Sequence, residues 1–140
     1  MNKLDDRHAI SRSRFFLAKA RECKASQRAD FEAYFEASII FARAAIHRTK
    51  NKYGKHPNWE AWWRGLLSYP SIVFFMDERN QILKEGPPKI GQIIALGEQP
   101  ELAESLYYYE GPKVPATSTL AIHLDEVASL VEDAEVLFSS

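Results

Sequence analysis

Apolar residues recur every three or four positions along most of this 140-residue chain, which is the spacing of amphipathic α-helices. Gly, Pro and Ser residues interrupt the pattern at points where helices commonly end or turn. The pattern predicts five helical segments, at residues 5–24, 26–53, 59–68, 71–86 and 124–138. We therefore expect a mainly helical protein.

The second segment would be about 40 Å long at 1.5 Å per residue, and its sequence is apolar on two sides. The broader side carries aromatic, aliphatic and small residues: Phe31, Tyr34, Phe35, Ser38, Ala42, Ala45 and Ile46. The narrower side is mostly alanine: Ala33, Ala37, Ile40 and Ala44. A helix that is apolar on two sides either occupies the centre of a bundle or meets another subunit. The second alternative predicts a homodimer, formed through this segment and the segment at 71–86.

The fourth segment, at 71–86, has clear start and stop signals and an unusual charge. Ser71 can cap its N-terminus, and Gly86 followed by two prolines ends it. Its apolar face comprises Ile72, Phe75, Met76, Ile82 and Leu83. Arg79 falls in the middle of that face, where a guanidinium must be paired, extend to solvent or line a site.

Residues 87–119 lack helical periodicity and carry strand-like stretches at 89–96 and 105–110, separated by Gly and Pro. They predict a small β-hairpin, because structureless loops of this length are uncommon. The third and fourth helical segments follow each other directly and form one interrupted arm. Together these features predict a single domain over residues 1–140, an up-and-down four-helix bundle with a β-hairpin inserted before the last helix.

The composition is that of an ordinary globular protein. The first residues lack the apolar core of a signal peptide, and no apolar run approaches the roughly 20 residues that span a bilayer. Cys23 is the only cysteine, so no internal disulfide can form, and its helical register with Phe16 and Ala20 predicts a core position. We expect a cytoplasmic protein with no membrane association.

The net charge of −1 conceals an asymmetry along the chain. Residues 1–56 contain 13 Lys and Arg against 6 Asp and Glu, whereas residues 57–140 contain 5 against 13. Two interpretations remain open. Either the basic and acidic helices are solvated or pair with each other, or the basic half forms a surface for an anionic partner such as RNA.

Signatures of several enzyme and metal-site classes are absent from the sequence. It contains no phosphate-binding G-x-x-x-x-G-K-[ST] loop, no G-x-G-x-x-G and no G-x-S-x-G nucleophile turn. No Cys/His set has zinc spacing, and the paired Glu-x-x-His segments of di-iron bundles are missing. We therefore expect neither a metal nor a cofactor. The helically spaced Trp59, Trp62 and Trp63 fit a core cluster better than a base-stacking surface.

The end of the fourth segment, RNQILKEG at residues 79–86, resembles the signature helix of the HEPN superfamily. These are small all-helical domains of prokaryotic toxin–antitoxin and RNA-processing systems, and a familiar form of their motif is R-N-x-x-x-H-E-G. Arg79 and Asn80 match its beginning and the final Glu-Gly matches its end, but Lys84 stands where the histidine belongs. The resemblance extends to the Ser-x-x-x-Ala-Arg segment at 38–43 and to the closing helix.

What the resemblance implies chemically depends on Lys84. Ribonucleases of this superfamily cut RNA without a metal, at a site that two copies complete across a dimer. The histidine activates the 2′-hydroxyl or protonates the leaving 5′-oxygen, the arginine stabilises charge on the phosphorane, and the Asn holds the arginine. A proton shuttle works best with a pKa near the operating pH, and a lysine would need its pKa lowered by about three units. Without that shift, Lys84 can bind phosphate but is a poor proton shuttle.

Two functions follow from these residues. The first is a non-catalytic or attenuated interaction module of a regulatory, defence or toxin–antitoxin system, which binds RNA, nucleotide phosphate or a protein partner. The residues available for the anion are Arg79, Lys84, Arg43 and His47. The alternative is a metal-independent endoribonuclease in which Arg79, Asn80 and Lys84 catalyse at a dimer interface. If the motif has no functional role, it is a structural relic with Arg79 paired to Glu36.

Overall fold

The computed structural model describes residues 6–24, 26–85, 90–92, 107–109 and 115–139, and of these the side chains of 8–24, 26–77, 90, 107 and 115–139. Five helices occupy most of this part of the chain: α1 (Asp6–Arg21), α2 (Arg28–Tyr53), α3 (Trp59–Leu66), α4 (Pro70–Glu85) and α5 (Ala116–Phe138). The prediction of a mainly helical protein is confirmed. No helix in the described ranges is long and apolar enough to cross a membrane.

Helix α2 packs against three other helices, α1, α4 and α5, and α5 also contacts α1 and α4. Its inward side is fully buried at the residues that line the core: Phe31, Phe35, Ile39, Ala42 and Ala45. The narrower apolar side is open in the single chain, since Ala33 and Ile40 are exposed. Helix α2 is therefore central on one side only, and the homodimer stays a prediction.

Helices α1 and α2 meet through a reciprocal pair of hydrogen bonds between two fully buried serines. The Ser13 hydroxyl donates to the backbone carbonyl of Ser38 over 2.7 Å, and the Ser38 hydroxyl donates to the carbonyl of Ser13 over 2.8 Å. The two hydroxyl oxygens lie 3.0 Å apart. Both hydroxyl protons thus have acceptors without water, which removes the cost of burying two polar groups. The short side chains also let the helices approach closely.

Two short strands lie between α4 and α5 in the chain. β1 (Ile90–Gln92) and β2 (Tyr107–Tyr109) form an antiparallel two-stranded sheet in which Gly91 pairs with Tyr108. Both strands fall inside the strand-like stretches of the sequence. The residues between them, 93–106, lie outside the described part of the chain, so the hairpin connection stays a prediction.

Tyr107 fixes β2 to the beginning of α2. Its ring, 1% exposed, stacks on Phe31 with centroids 4.1 Å apart, and its hydroxyl donates to the carbonyl of Lys24 over 3.0 Å. Burial raises the pKa of the Tyr107 hydroxyl, so the neutral phenol makes this bond. Arg28, in the first turn of α2, donates to the carbonyl of Ile90 in β1. The small sheet therefore covers the N-terminal end of the inward side of α2.

A second, smaller core forms where α3 meets the ends of α2 and α5. Trp59 is 1% exposed, stacks on Trp63 with centroids 5.6 Å apart, and meets the ring of Phe138 edge-on at 5.7 Å. Tyr53 and Ala134 are also buried in this cluster. The prediction that the tryptophans belong to a core is confirmed for Trp59, while Trp62 and Trp63 are half-buried against it.

The starts of α2 and α4 differ from those predicted. Helix α2 begins at Arg28 rather than at 26, with Gln27 at the N-cap position. Helix α4 begins at Pro70, which places Ser71 inside the first turn, where its hydroxyl bonds to His123 instead of capping the helix. Pro70 suits the first helical position because an N–H there has no intrahelical acceptor.

Helix α5 begins at Ala116 rather than at 124, and the range 87–119 is therefore helical at its end. Its first turn contains β-branched Thr117 and Thr119, which lower helix propensity and obscure the start in the sequence. Ala116 and Leu120 are nonetheless fully buried, in register with Leu124. Tertiary packing of an apolar face outweighs weak propensity, and this extends the helix.

We expect the serine contact to tolerate loss of a hydroxyl better than added bulk. Ser38→Ala should lower the free energy of unfolding by about 1 kcal/mol, because one buried hydrogen bond is lost while the Ser13 hydroxyl keeps its carbonyl acceptor. Ser38→Leu should cost about 1–3 kcal/mol, because a larger side chain forces the helices apart. Urea unfolding measures both. Ser11→Ala, on the exposed side of α1, is the matched control, and a Ser38→Leu protein as stable as wild type would contradict the close contact.

Candidate functional site

The residues of the predicted anion site lie on two helices that contact each other. Arg43 and His47 are one turn apart on α2, and both side chains are described. Arg79, Asn80 and Lys84 lie on the helical backbone of α4, which continues to Glu85, but their side chains are outside the described part of the chain. The structure therefore brings the two helices together and leaves the joint arrangement of these side chains a prediction.

Arg43 and His47 line an open concavity of about 240 Å³ on the surface of α2, together with Ile40 and Ala44. His47 is exposed and Arg43 is half-buried. A guanidinium offers five N–H donors and a permanent positive charge, and an imidazole adds a donor or an acceptor. Such a pair, one turn apart beside a small and an aliphatic residue, has the donors and the room to hold an anionic oxygen.

Glu36 lies two turns before Arg43 on the same helix and is half-buried. Burial raises the pKa of its carboxyl group, and the nearby Glu32 carboxylate raises it further. A nearby cation would favour the charged form of this carboxyl group. The predicted pairing with Arg79 would supply that cation, but it involves a side chain outside the described residues and stays a prediction.

A polar pair that the sequence pattern does not reveal joins Ser71 of α4 to His123 of α5. The Ser71 hydroxyl oxygen lies 2.7 Å from His123 Nδ1. The imidazole stacks on Phe74 with ring centroids 4.3 Å apart and meets the ring of Phe75 edge-on. Burial lowers the pKa of His123, against a smaller raising effect of the Glu126 carboxylate. The neutral imidazole is therefore the form that links the two helices.

A serine hydroxyl bonded to an imidazole is the arrangement that activates the nucleophile in many hydrolases. Here Ser71 is only 2% exposed, so its oxygen is closed to a substrate. His123 packs against two aromatic rings rather than facing a cleft. We therefore assign the pair to helix packing. Its members are 52 residues apart in the chain, which explains why no local motif indicates it.

No group of three or more His, Cys, Asp or Glu side chains that could hold a metal ion occurs among the described residues. Cys23 is 3% exposed, which confirms its predicted core position, and its Sγ lies 3.5 Å from the carbonyl oxygen of Lys19. Burial raises the pKa of the Cys23 thiol, and the charges of Asp30 and Glu22 raise it further. It is therefore a protonated core thiol rather than a reactive one.

Comparisons of the chain with protein-family models, with curated proteins and with solved structures gave no match. The resemblance to the HEPN superfamily therefore rests on the motif at 79–86 and on general helical architecture. Among the described residues, Arg43 and His47 line one concavity with groups that can bind an anion, whereas Ser71–His123 is a packing contact.

The Ser71–His123 contact predicts a loss of stability in mild acid. Because the pKa of His123 is lowered in the folded state, the unfolded chain takes up a proton first as the pH falls through about 6.5. The contribution of His123 to the free energy of unfolding should be constant above that pH, and should decrease below it until the folded state is protonated too. Chemical unfolding at a series of pH values between about 7.5 and 5.5 measures this slope.

The double variant Ser71→Ala/His123→Phe should have a smaller slope than wild type. It keeps a ring to stack on Phe74 and removes both the titrating group and the hydroxyl that would lose its partner. Ser129→Ala, at an exposed and non-titrating position of α5, is the matched control and should keep the slope of wild type. If the double variant also keeps the wild-type slope, His123 is not the group whose protonation lowers the stability.

Proposed function

We propose that this chain is a HEPN-like interaction module that binds RNA or nucleotide phosphates and does not cleave RNA. In this proposal the helices form an up-and-down four-helix bundle, with α3 and α4 as one interrupted arm and the strands as a hairpin inserted before α5. The module would act as a homodimer in a regulatory or defence system. The mainly helical fold and the basic first half of the chain support it.

The observation that carries the proposal is the presence of Arg43 and His47 at one open concavity. The two side chains offer a permanent positive charge and a hydrogen-bonding ring to the same space. Helix α4, which carries the other two candidate anion ligands Arg79 and Lys84, packs on α2. Phosphate oxygens are the ligands that such donors prefer.

Lys84 favours binding over cleavage. Its ammonium group holds a phosphate as a point charge, but a lysine with an ordinary pKa neither accepts a proton from a 2′-hydroxyl nor exchanges protons readily near neutral pH. The proposed module therefore keeps the electrostatic half of the HEPN chemistry and lacks the proton-transfer half.

The narrow apolar side of α2 supports the dimer. Ile40 is 40% exposed, and Ile40 and Ala44 also line the concavity that contains Arg43 and His47. A two-fold interface uses the same patch on both copies. Pairing through this side of α2 would therefore place two Arg43–His47 pairs near each other, where one RNA strand could contact both.

Replacing Arg43 tests the binding site. Arg43→Gln should weaken binding of a short single-stranded RNA and reduce the slope of log K against log salt by about 0.7, because one phosphate contact is lost. Fluorescence anisotropy at several salt concentrations measures both quantities. Arg64→Gln is the matched control, since Arg64 is an exposed arginine on α3 that lies 3.5 Å from Glu60. Equal binding by wild type and Arg43→Gln would count against the site.

A cleavage assay in the presence of a chelator separates the proposal from its endoribonuclease alternative. We expect wild type to bind RNA without cutting it, and Lys84→His to gain metal-independent cleavage because a proton shuttle is restored. Adding Arg79→Ala to Lys84→His should abolish the gained activity. Cleavage by wild type that Arg79→Ala abolishes would instead establish the endoribonuclease.

A further inference from the structure

A row of aromatic side chains runs along the outer junction of α1 and α2. The rings of Phe16 and Phe41 are stacked with centroids 5.7 Å apart, and Tyr34 stacks on Phe16 at 6.3 Å. Phe15 meets Phe16 edge-on at 5.2 Å. Phe15 is 56% exposed, and the other three rings are half-buried. We call Phe15, Phe16, Tyr34 and Phe41 the aromatic strip.

Positive charges lie over the rings of the aromatic strip. The Arg12 guanidinium is 5.8 Å from the centroid of Phe41, and the Lys19 ammonium is 5.7 Å from the centroid of Phe15. An acidic residue, Glu22, lies at the same edge, 4.0 Å from Lys19. The surface therefore combines one exposed ring, Phe15, and three half-buried rings with cations at both ends, and one carboxylate partly offsets the charge at one end.

A hollow of about 150 Å³ adjoins the aromatic strip. Tyr34 and Lys19 belong to its wall, which Glu22, Cys23 and Gln27 complete. The amide of Gln27 and the charged groups at the rim can hydrogen-bond to a ligand. A flat polar ring that entered the hollow would meet both an aromatic wall and hydrogen-bonding partners.

The aromatic strip lies on a different flank of α2 from the Arg43–His47 concavity. Phe41 and Arg43 are two residues apart, which is about 200° around an α-helix. Phe16 of the strip belongs to α1, whereas all the residues that line the concavity belong to α2. The two surfaces are therefore separate and can be tested separately.

We propose that the aromatic strip binds single-stranded RNA, with bases stacked on Phe15 and the adjoining rings and with phosphates held by Arg12 and Lys19. Proteins that bind single strands without sequence preference combine a basic groove with aromatic rings on which bases stack. This inference rests on the RNA binding proposed above, and it specifies the form of the RNA and a second surface that contacts it. A duplex should bind more weakly, because its bases are already stacked on each other.

The combination of rings and cations favours RNA over an acidic protein segment. The faces of aromatic rings carry partial negative charge, so they attract cations and flat rings rather than carboxylates. An acidic segment would be attracted by Arg12 and Lys19 alone, so its affinity would not change when the Phe15 ring is removed. Single-stranded RNA, by contrast, offers flat bases to the rings and phosphates to the cations.

Matched variants of Phe15 test the stacking, with a labelled single-stranded RNA and fluorescence anisotropy on the full chain. Phe15→Leu keeps an apolar side chain at an exposed position but removes the ring, and should raise the Kd at least about fivefold. Phe15→Tyr keeps the ring and should bind like wild type. Arg12→Gln and Lys19→Gln should each lower the salt slope by about 0.7. Arg14→Gln is their control, because Arg14 lies on α1 but pairs with Asp125 at 3.3 Å.

An abasic oligomer of the same length and a polyglutamate peptide complete the test. We expect the abasic oligomer to bind more weakly than RNA, and polyglutamate to displace labelled RNA only at concentrations well above those at which unlabelled RNA displaces it. If Phe15→Leu binds like wild type, or if the abasic oligomer binds as tightly as RNA, stacking on the strip is overturned while phosphate binding at Arg43 stands. If polyglutamate displaces the RNA as readily as unlabelled RNA does, from wild type and from Phe15→Leu alike, the strip is a site for acidic protein segments. If wild type binds no RNA, both proposals fail.

Discussion

The buried serine contact between α1 and α2 fixes the arrangement on which the rest of the structure depends. Ser13 and Ser38 each donate to the other's carbonyl, which requires one rotation and one register of the two helices. In that register Leu17 is buried in the core while Phe16 reaches the edge of the junction and stacks on Phe41. Because both hydroxyl protons have acceptors, the contact specifies the helix pairing without leaving a buried polar group unsatisfied.

Among the described residues, some charges of the basic first half of the chain pair with charges of the acidic second half. Arg14 lies 3.3 Å from Asp125 of α5, and Lys52 lies 3.9 Å from Glu135. Exposed pairs of this kind contribute little to stability. Other cations of the first half lie over aromatic rings of α1 and α2 or beside the concavity of α2. We propose that these cations form two surfaces for an anionic partner, and the choice between the two interpretations of the charge asymmetry stays a prediction.

Helical periodicity predicted a mainly helical chain, because each main helix buries one apolar face, and Trp59 is a core residue for this reason. Cys23 is also buried, although α1 ends before it, at Arg21. Periodicity gave the wrong role for a residue whose partner lies far away in the chain. Ser71 has the sequence of a cap, but its hydroxyl bonds to a histidine 52 residues away. Within the candidate site, the proximity of Arg43 and His47 could be predicted from the sequence, because they are one turn apart on one helix. The aromatic strip could not, because Phe16 and Phe41 meet only after the serine contact sets the rotation of α1 on α2.

In this account the basic half of the fold binds RNA and the acidic last helix does not. Mapping RNA contacts at each backbone amide tests this most directly. Titration of ¹⁵N-labelled protein with a short single-stranded RNA gives this map. We predict shifts of resonances in α1 and α2 around Phe15, Phe41 and Arg43, and unchanged resonances along α5 from Asp125 onward. Shifts confined to α5, or none at all, would contradict the claim.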